Sequence, residues 1–284
     1  GLEDVLGYAA SIAANGGEVS LGLPKIEQEP QNEFFSALVL PPSAGRVEAS
    51  TWPWLIPFLK AQHRQGAVIC SACTGLHWVA AAGLAQNRRV TTHWALEQSL
   101  LQTYPDLVLD VNQLLIEYAD LVTAGGLMAW TDLSLALIER FLGYDIALRS
   151  ARHFVIDMYR RDQRPYRRFL PELRHGDREI LVAQHAVERL EDELPTIRFL
   201  AGQAGLSQRT FLRRFKSATG MTPSEYIQRT KVEMACRLLL ETRQPVAGIC
   251  YRVGYNDVAS FVRLFAKWVG VTPGLYRQRN SRVR

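Results

Sequence analysis

Apolar residues follow two rhythms along this chain. Up to about residue 160, short apolar runs at Phe34–Leu40, Gly66–Cys70, Val90–Thr92 and Leu121–Thr123 alternate with stretches of helical spacing at Pro57–Gln65, Thr74–Leu84 and Trp130–Leu142. Short runs bounded by turn residues predict strands, and their alternation with helices predicts a parallel sheet covered on both faces. In such sheets ligands bind beyond the carboxyl ends of the strands. From about residue 181 the apolar spacing is helical throughout, which predicts a second, all-α region.

The helical region repeats itself. Phe211-Leu-Arg-Arg-Phe215 followed by Gly220, Thr222, Pro223 and Tyr226 returns fifty positions on as Phe261-Val-Arg-Leu-Phe265 followed by Gly270, Thr272, Pro273 and Tyr276. Arg213 and Arg263 also correspond. A repeat of this length marks one supersecondary unit used twice. In the first copy Thr196 caps a helix carrying Ile197, Leu200, Ala201 and Ala204, Gly205 stops it, and Ser207 caps a second helix that turns Phe211, Leu212 and Phe215 inward. In the second copy Val246–Val253, Gly254 and either Asn256 or Asp257 take the same parts. Helix, glycine turn and capped helix form a helix-turn-helix. Between the copies Pro223–Arg243 contains no breaker after its first turn, so it predicts a helix of about 20 residues, or about 30 Å. Successive major grooves on one DNA face lie about 34 Å apart, so such a spacer suits two readers on adjacent grooves.

Charge separates the two regions. Residues 181–284 hold 17 Lys and Arg against 8 Asp and Glu, a net +9, whereas residues 1–180 hold 16 against 20, a net −4. The basic end points to a polyanion.

The run Arg237-Leu-Leu-Leu, Pro245-Val-Ala-Gly-Ile249, Val253-Gly254-Tyr255, Ser260-Phe261, Phe265 and Gly270-Val-Thr272-Pro273-Tyr276 resembles the AraC/XylS family signature over about 100 residues. The resemblance implies a transcription regulator with two helix-turn-helix units on asymmetric promoter DNA. It implies that Gln208, Arg209, Thr210, Leu212 and Arg213 face DNA from the first unit, and Asp257, Val258, Ala259, Ser260, Val262 and Arg263 from the second. An arginine at such a position can fork onto guanine O6 and N7, and Gln208 can pair with adenine. Val258, Ala259 and Val262 can only touch a thymine methyl, so the second unit is expected to contribute less hydrogen-bonded specificity. The bland alternative is that these arginines contact phosphate or solvate a surface. Lys231, Arg243, Arg277 and Arg279 are candidates for phosphate neutralisation. The repeated Phe and Tyr residues have the spacing of a buried face.

In the front region the informative stretch is Ala67-Val-Ile-Cys70-Ser-Ala-Cys73-Thr74-Gly75-Leu. A strand ends, Cys73 follows, and a helix begins within a residue or two. That is the layout of a nucleophile elbow, in which a helix N-terminus would lower the thiol pKa. Cys73-Thr-Gly, with Thr91-Thr92-His93-Trp94 and with Gly125-Gly126, Asp132 and the Ala151-Arg152 helix, resembles the ThiJ/PfpI class of the class I glutamine amidotransferase-like fold over about residues 1–165. More closely, it resembles the subgroup fused ahead of an AraC-type domain. The resemblance implies a flavodoxin-like sandwich that senses a small-molecule effector and dimerises, with Cys73, Thr74 and His93 lining the effector pocket. It further implies RNA polymerase as a partner. Two departures matter. The chain opens where the family is entering its first helix, so the first strand is expected to be missing, and Asp4, or Glu3, stands where the family has an acidic residue beside the cysteine. The residue after Cys73 is Thr74, where peptidase-like relatives supply a histidine base. A nucleophile needs a thiolate, a base and an orienting carboxylate. Cys73, His93 and Asp4 are thus remnant or sensing residues rather than a catalytic set, and the expectation is a non-enzyme.

Cys70 would point away from the elbow, which argues against a redox pair, and Cys236 and Cys250 fall on apolar helix faces. Four cysteines, no secretory segment and no long apolar span indicate a reducing cytoplasm and no membrane. No Cys/His cluster has metal-ligand spacing, and no cofactor is implied. The organisation expected is a sensing and dimerisation domain over 1–165, a charged, proline-interrupted linker over 166–180, five arginines between 160 and 168 at the junction of the two, and a DNA-binding domain over 181–284. The partners expected are promoter DNA, an effector and a second copy of the chain. Two alternatives stay open: a cysteine hydrolase or amidotransferase-like enzyme with a DNA-binding tail, and a constitutive DNA-binding protein whose front domain is only a scaffold.

Overall fold

The computed structural model describes residues 1–14, 25–26, 28–30, 33–43, 51–158, 162–190 and 192–280, and divides into two compact units, Gly1–Gln163 and Arg164–Arg284. Arg160 and Arg161, two of the five arginines at the expected domain junction, lie outside the described residues.

In the first unit β1 (Ala37–Leu40), β2 (Val68–Ala72) and β6 (Leu121–Ala124) run parallel, and β5 (Leu115–Glu117) joins β6 antiparallel, giving the order β1-β2-β6-β5. A separate parallel pair holds β3 (Arg89–Val90) and β4 (Val108–Leu109). Every residue of β2 and β6 is buried, Ser71 and Thr123 included, which explains why neither strand shows a regular apolar–polar alternation. Their side chains nonetheless divide between two cores. Val68, Cys70, Ala72, Val122 and Ala124 pack under α1 (Leu2–Ala13), α5 (Trp130–Leu142) and α6 (Tyr144–His153), through Val5, Ala9, Leu133, Ile138 and Ala147. Ile69, Leu121, Leu38 and Leu40 pack under α2 (Leu55–Arg64), α3 (Leu76–Ala81) and α4 (Glu97–Thr103), through Phe58, Leu59, Leu76, Val79 and Leu100. Helices on both faces of a parallel sheet were expected; the antiparallel β5 was not. β5 is three residues long and half exposed, too short for its apolar stretch Leu114–Ile116 to stand out as a strand.

The second unit is all helix: α7 (Arg178–Arg189), α8 (Ile197–Gln203), α9 (Gln208–Thr219), α10 (Pro223–Glu241), α11 (Val246–Arg252), α12 (Val258–Val269) and α13 (Pro273–Asn280). Each boundary has a local cause. Thr196, Ser207 and Asp257 accept hydrogen bonds from the first turns of α8, α9 and α12, and Gly220 and Gly270 end α9 and α12 in the left-handed conformation. Thr222 and Glu225 form a reciprocal capping box at the start of α10, with Pro223 in its first turn.

Two separate cores flank α10. Its first turns give Tyr226 and Ile227 to a core with Phe211, Phe215, Leu200 and Ile180. Its later turns give Val232, Ala235, Cys236, Leu238 and Leu239 to a core with Phe261, Phe265, Ile249 and Val253. The repeated aromatics are therefore core residues. Lys231, expected at phosphate, is fully buried between the two cores, where its Nζ donates to the Leu190 carbonyl at the end of α7. Arg277 is also diverted: its guanidinium donates to the Leu239 and Gln244 carbonyls (3.2 and 2.6 Å) and closes the C-terminal end of α10. Much of the expected linker belongs to this unit. The Phe169 ring meets Tyr226 edge-on (centroids 5.4 Å apart), and its N–H donates to Glu233 Oε2 (3.0 Å).

The two helix-turn-helix glycines are not equivalent. Both have positive φ, +65° at Gly205 and +90° at Gly254, but a Cβ at Gly205 would meet open space, whereas one at Gly254 would sit 2.7 Å from the Glu193 carbonyl carbon. Gly205→Ala should cost about 1–2 kcal/mol for the left-handed conformation alone. Gly254→Ala should cost clearly more, and thermal unfolding of the two variants checks the order. A second expectation concerns acid. Arg214 forks onto Asp177 (Nε–Oδ2 2.9 Å, Nη2–Oδ1 2.7 Å) and holds that carboxyl below the usual carboxylate range. Because the folded value lies below the unfolded one, the stabilisation is complete above about pH 4 and is lost as pH falls through the folded value. Asp177→Asn should flatten this part of the acid limb, as read by chemical denaturation between about pH 2 and 5.

Candidate functional site

One candidate surface is the outer face of α9. With Phe211 and Phe215 fixed in the core, the positions about 100° round the helix face solvent. Gln208, Arg209, Leu212 and Arg213 are exposed there, and with Lys216 and Ser217 they line a shallow depression. Leu212, expected inward, is 43% exposed and belongs to this face. Among the described residues neither Arg209 nor Arg213 forms an ion pair, so both guanidiniums are available. The neighbouring Arg214 turns away to Asp177 and Glu179. Thr210 is half-buried, and its hydroxyl accepts from the capping Ser207 (3.0 Å). Lys216 and Ser217 escaped the sequence reading, although three and four residues beyond Arg213 they share its helix face.

The corresponding face of α12 is poorer. Asp257 is spent on the cap: its carboxylate accepts from the Ala259 and Ser260 N–H groups (3.4 and 2.8 Å). Its hydrogen bonds to Ser260, with the nearby positive charge of Arg263, hold it below the usual carboxylate range. Ser260 accepts from Arg263 Nη2 (2.8 Å). Val258 and Val262 pack against the second core rather than standing free. Ala259, Ser260 and Arg263 remain exposed. Exposed Lys267 lies over the Trp268 ring (4.9 Å) one turn beyond Arg263.

The second candidate is the turn after β2. Cys73 has φ +53°, a left-handed conformation that a non-glycine residue adopts at a cost of about 1–3 kcal/mol. The strain comes from a tight passage: Cys73–Gly75 make a 3-10 turn straight into α3, and a Cβ at Gly75 would lie 2.3 Å from the Leu40 carbonyl oxygen. This is elbow geometry, and it leaves the thiol half-buried. The electrostatics differ from those expected. Burial pushes the Cys73 thiol up, and the hydrogen bond from the Thr74 backbone only partly opposes it.

The expected partners are engaged elsewhere. His93 Nδ1 accepts from the Ala95 N–H (3.1 Å), its ring lies against Trp94, and burial moves its pKa down. The Thr74 hydroxyl is held by the Ser43 backbone. The Asp4 side chain is 75% exposed on α1. Glu3 pairs with Lys25 at 3.4 Å. What does reach the elbow is Thr92, whose hydroxyl donates to the Cys73 carbonyl (2.7 Å). Cys70 is fully buried with its thiol pushed up to about 12, and Cys236 is likewise buried at about 12, so neither resembles a redox partner.

Comparisons with known proteins divide the chain as its two units do. Residues 20–140 match the model of the DJ-1/PfpI family, and residues 200–279 match a helix-turn-helix domain model. The HTH-type transcriptional regulator ArgR of Pseudomonas aeruginosa is 28% identical over 240 residues, covering 84% of this chain and 72% of that protein. The MmsAB operon regulatory protein of the same species is 42% identical over 96 residues, covering 34% of this chain and 30% of that protein. The chain thus spans between about a third and three quarters of these relatives' lengths. Among solved structures, the DNA-binding domain of AdpA in complex with a target DNA is 32% identical, covering 37% of this chain and 93% of that one with a TM-score of 0.34. No described helix is long and apolar enough to cross a membrane. The chain joins a DJ-1/PfpI family region to an AraC-type helix-turn-helix region.

Proposed function

We propose that this chain is a transcription regulator that binds promoter DNA through α9 and α12, and that its first unit senses a small molecule near Cys73. The observation that carries the DNA reading is the outer face of α9. Gln208, Arg209 and Arg213 stand exposed, and unpaired among the described residues, on a helix whose other face is locked into a core, behind a spacer of 19 residues. Rigid donors of that kind can be aimed at base edges. The contribution of α12 is smaller and mostly electrostatic, because Asp257 and Ser260 are internally engaged and Val258 and Val262 are partly buried. Related regulators of Pseudomonas aeruginosa support the same reading. The chain works as a homodimer, with four readers on DNA and RNA polymerase as a downstream partner. All four cysteines are free, which suits action in a reducing cytoplasm.

Sensing is favoured over catalysis at Cys73. A strained, half-buried thiol with a raised pKa, and with neither His93 nor a carboxylate hydrogen-bonded to it among the described residues, has the wrong protonation state for a nucleophile. Control follows by population shift: effector favours the arrangement that places the readers on DNA.

Two outcomes are expected. Arg209→Ala and Arg213→Ala should each weaken binding to a DNA selected by the full chain by about 5- to 150-fold, with relaxed preference at one base. Arg263→Ala should weaken all sequences nearly alike and lower the salt slope by about one ion. A base-specific loss on Arg263→Ala, in titrations against single-base variants, would refute the ranking. Alkylation of Cys73 by iodoacetamide should keep rising with pH beyond the ordinary thiol value of about 8.5, with no low-pH plateau. A rate already level at pH 7 would indicate a thiolate and favour the enzyme reading.

A further inference from the structure

The carboxyl ends of the strands in the first unit carry a buried polar layer that neither the elbow nor the helices explain. Thr91, Thr92 and Thr123 are fully buried there. The Thr91 N–H donates to Thr123 Oγ1 (3.0 Å), and Thr91 Oγ1 donates to the Gln113 carbonyl (2.7 Å). Into this layer the chain inserts one long polar side chain from far along the sequence, that of Gln163, which is 3% exposed. Its Nε2 donates to the Thr92 and Gln113 carbonyls (2.8 and 2.9 Å) and approaches Thr91 Oγ1 (3.3 Å), while its Oε1 accepts from the Trp94 N–H (3.2 Å). Both ends of the amide are thus read by fixed backbone groups, two acceptors for the NH2 and one donor for the carbonyl. The recess is shaped to the amide as well as hydrogen-bonded to it. A Cβ at Gly125 would lie 2.0 Å from Gln163 Nε2 and 2.7 Å from the Thr92 carbonyl oxygen.

Two further facts give this contact a direction. The backbone it reads, Thr91–Trp94, is the segment that carries His93, and Thr92 is the residue that holds the Cys73 carbonyl. Gln163 is the last residue of the first unit, so the next peptide bond leads into the second. We propose that this recess is a primary-carboxamide subsite which the chain fills in cis with Gln163. A ligand of the first unit bearing a primary carboxamide competes for the subsite and frees the residue that precedes the DNA-binding unit. A carboxylate of the same shape is disfavoured, because it would bring two lone pairs against the Thr92 and Gln113 carbonyls. A ketone is disfavoured because it leaves both carbonyls unpaired. The inference rests on the sensing role proposed for the first unit, and it names the ligand chemistry and the route.

The test uses the full chain with acetamide as probe and acetate and acetone as controls. In Gln163→Ala the Trp94 N–H loses its acceptor and should exchange with solvent about tenfold faster than in the wild type. Acetamide should return it toward the wild-type rate and raise the unfolding temperature of the variant, while acetate and acetone do neither. In the wild type, excess acetamide should speed exchange of the Gln163 N–H, which donates to the Asn112 carbonyl (2.9 Å), by about threefold or more. Gly125→Ala fills the recess from the other side: it should release Trp94 as Gln163→Ala does and should not be rescued. Should Gln163→Ala fail to fold, folding restored by acetamide alone supports the subsite, and folding restored by no amide overturns it. Wild-type protection of Trp94 in Gln163→Ala, or rescue by acetone as good as by acetamide, also overturns it. Binding of the wild type to selected DNA is measured in parallel. Its absence would remove the regulatory reading and leave a positive rescue standing, whereas failed rescue with intact DNA binding removes the subsite alone.

Discussion

A single uninterrupted helix belongs to two cores, and the second unit depends on that. Tyr226 and Ile227 at the start of α10 are packed with the first helix-turn-helix, and Val232 through Leu239 are packed with the second. A helix cannot twist or bend at one end without disturbing both sets, so the two readers keep one relative register. The sequence around α10 enforces this. A capping box and Pro223 fix where it begins, Arg277 closes the carbonyls at its end, and Lys231 anchors its middle to the last carbonyl of α7. Arg229, one helical half-turn before Lys231, stacks on Trp268 of α12 at 4.4 Å and ties the spacer to the second reader. Burying a lysine with a carbonyl partner is costly unless its position is worth specifying. Here the position is the junction of two cores.

That same economy of cations separates what the sequence made legible from what it concealed. The repeat at Phe211 and Phe261, the caps at Ser207 and Thr222, and the stop glycines are local signals whose meaning survives folding, so both helix-turn-helix units and the spacer could be read directly. Net charge is not such a signal. Of the cations taken for phosphate neutralisers, Lys231 is in the interior and Arg277 is a helix cap; Arg214, beside Arg213, is in an ion pair. A basic residue's partner is decided by which carbonyl or carboxylate the fold brings beside it. Asp257 makes the same point with opposite sign: it was one of two candidate caps with Asn256, and that its carboxylate is spent on the first turn of α12 is only seen once Ala259 and Ser260 are placed.

In the first unit the elbow was legible because the chain must turn from strand to helix in three residues, and Cys73 with positive φ is the result. The chemistry expected of it was not. The layout of strand, turn and helix places Cys73, but it does not say how wet the sulfur is, and half-burial pushes the thiol up. The exposure of Asp4 has a plainer cause. Its helix presents Val5, Leu6 and Ala9 to the core, which sends the acidic positions to solvent.

The two units thus solve opposite problems with polar groups. In the second, Arg209 and Arg213 form no ion pair among the described residues, while three carboxylates have other duties: Asp177 and Glu179 hold Arg214, and Glu225 closes the box on Thr222. The first buries three threonines and a glutamine at the ends of its strands, where unpaired polar groups would each cost about 1–3 kcal/mol, and satisfies them almost wholly with one another and with backbone. A network with so few spare donors and acceptors can accept a newcomer only by releasing a member. Among its members Gln163 is the one whose release reaches the next unit along the chain, and that is why the geometry at Thr92 and Trp94 bears on control as well as on packing.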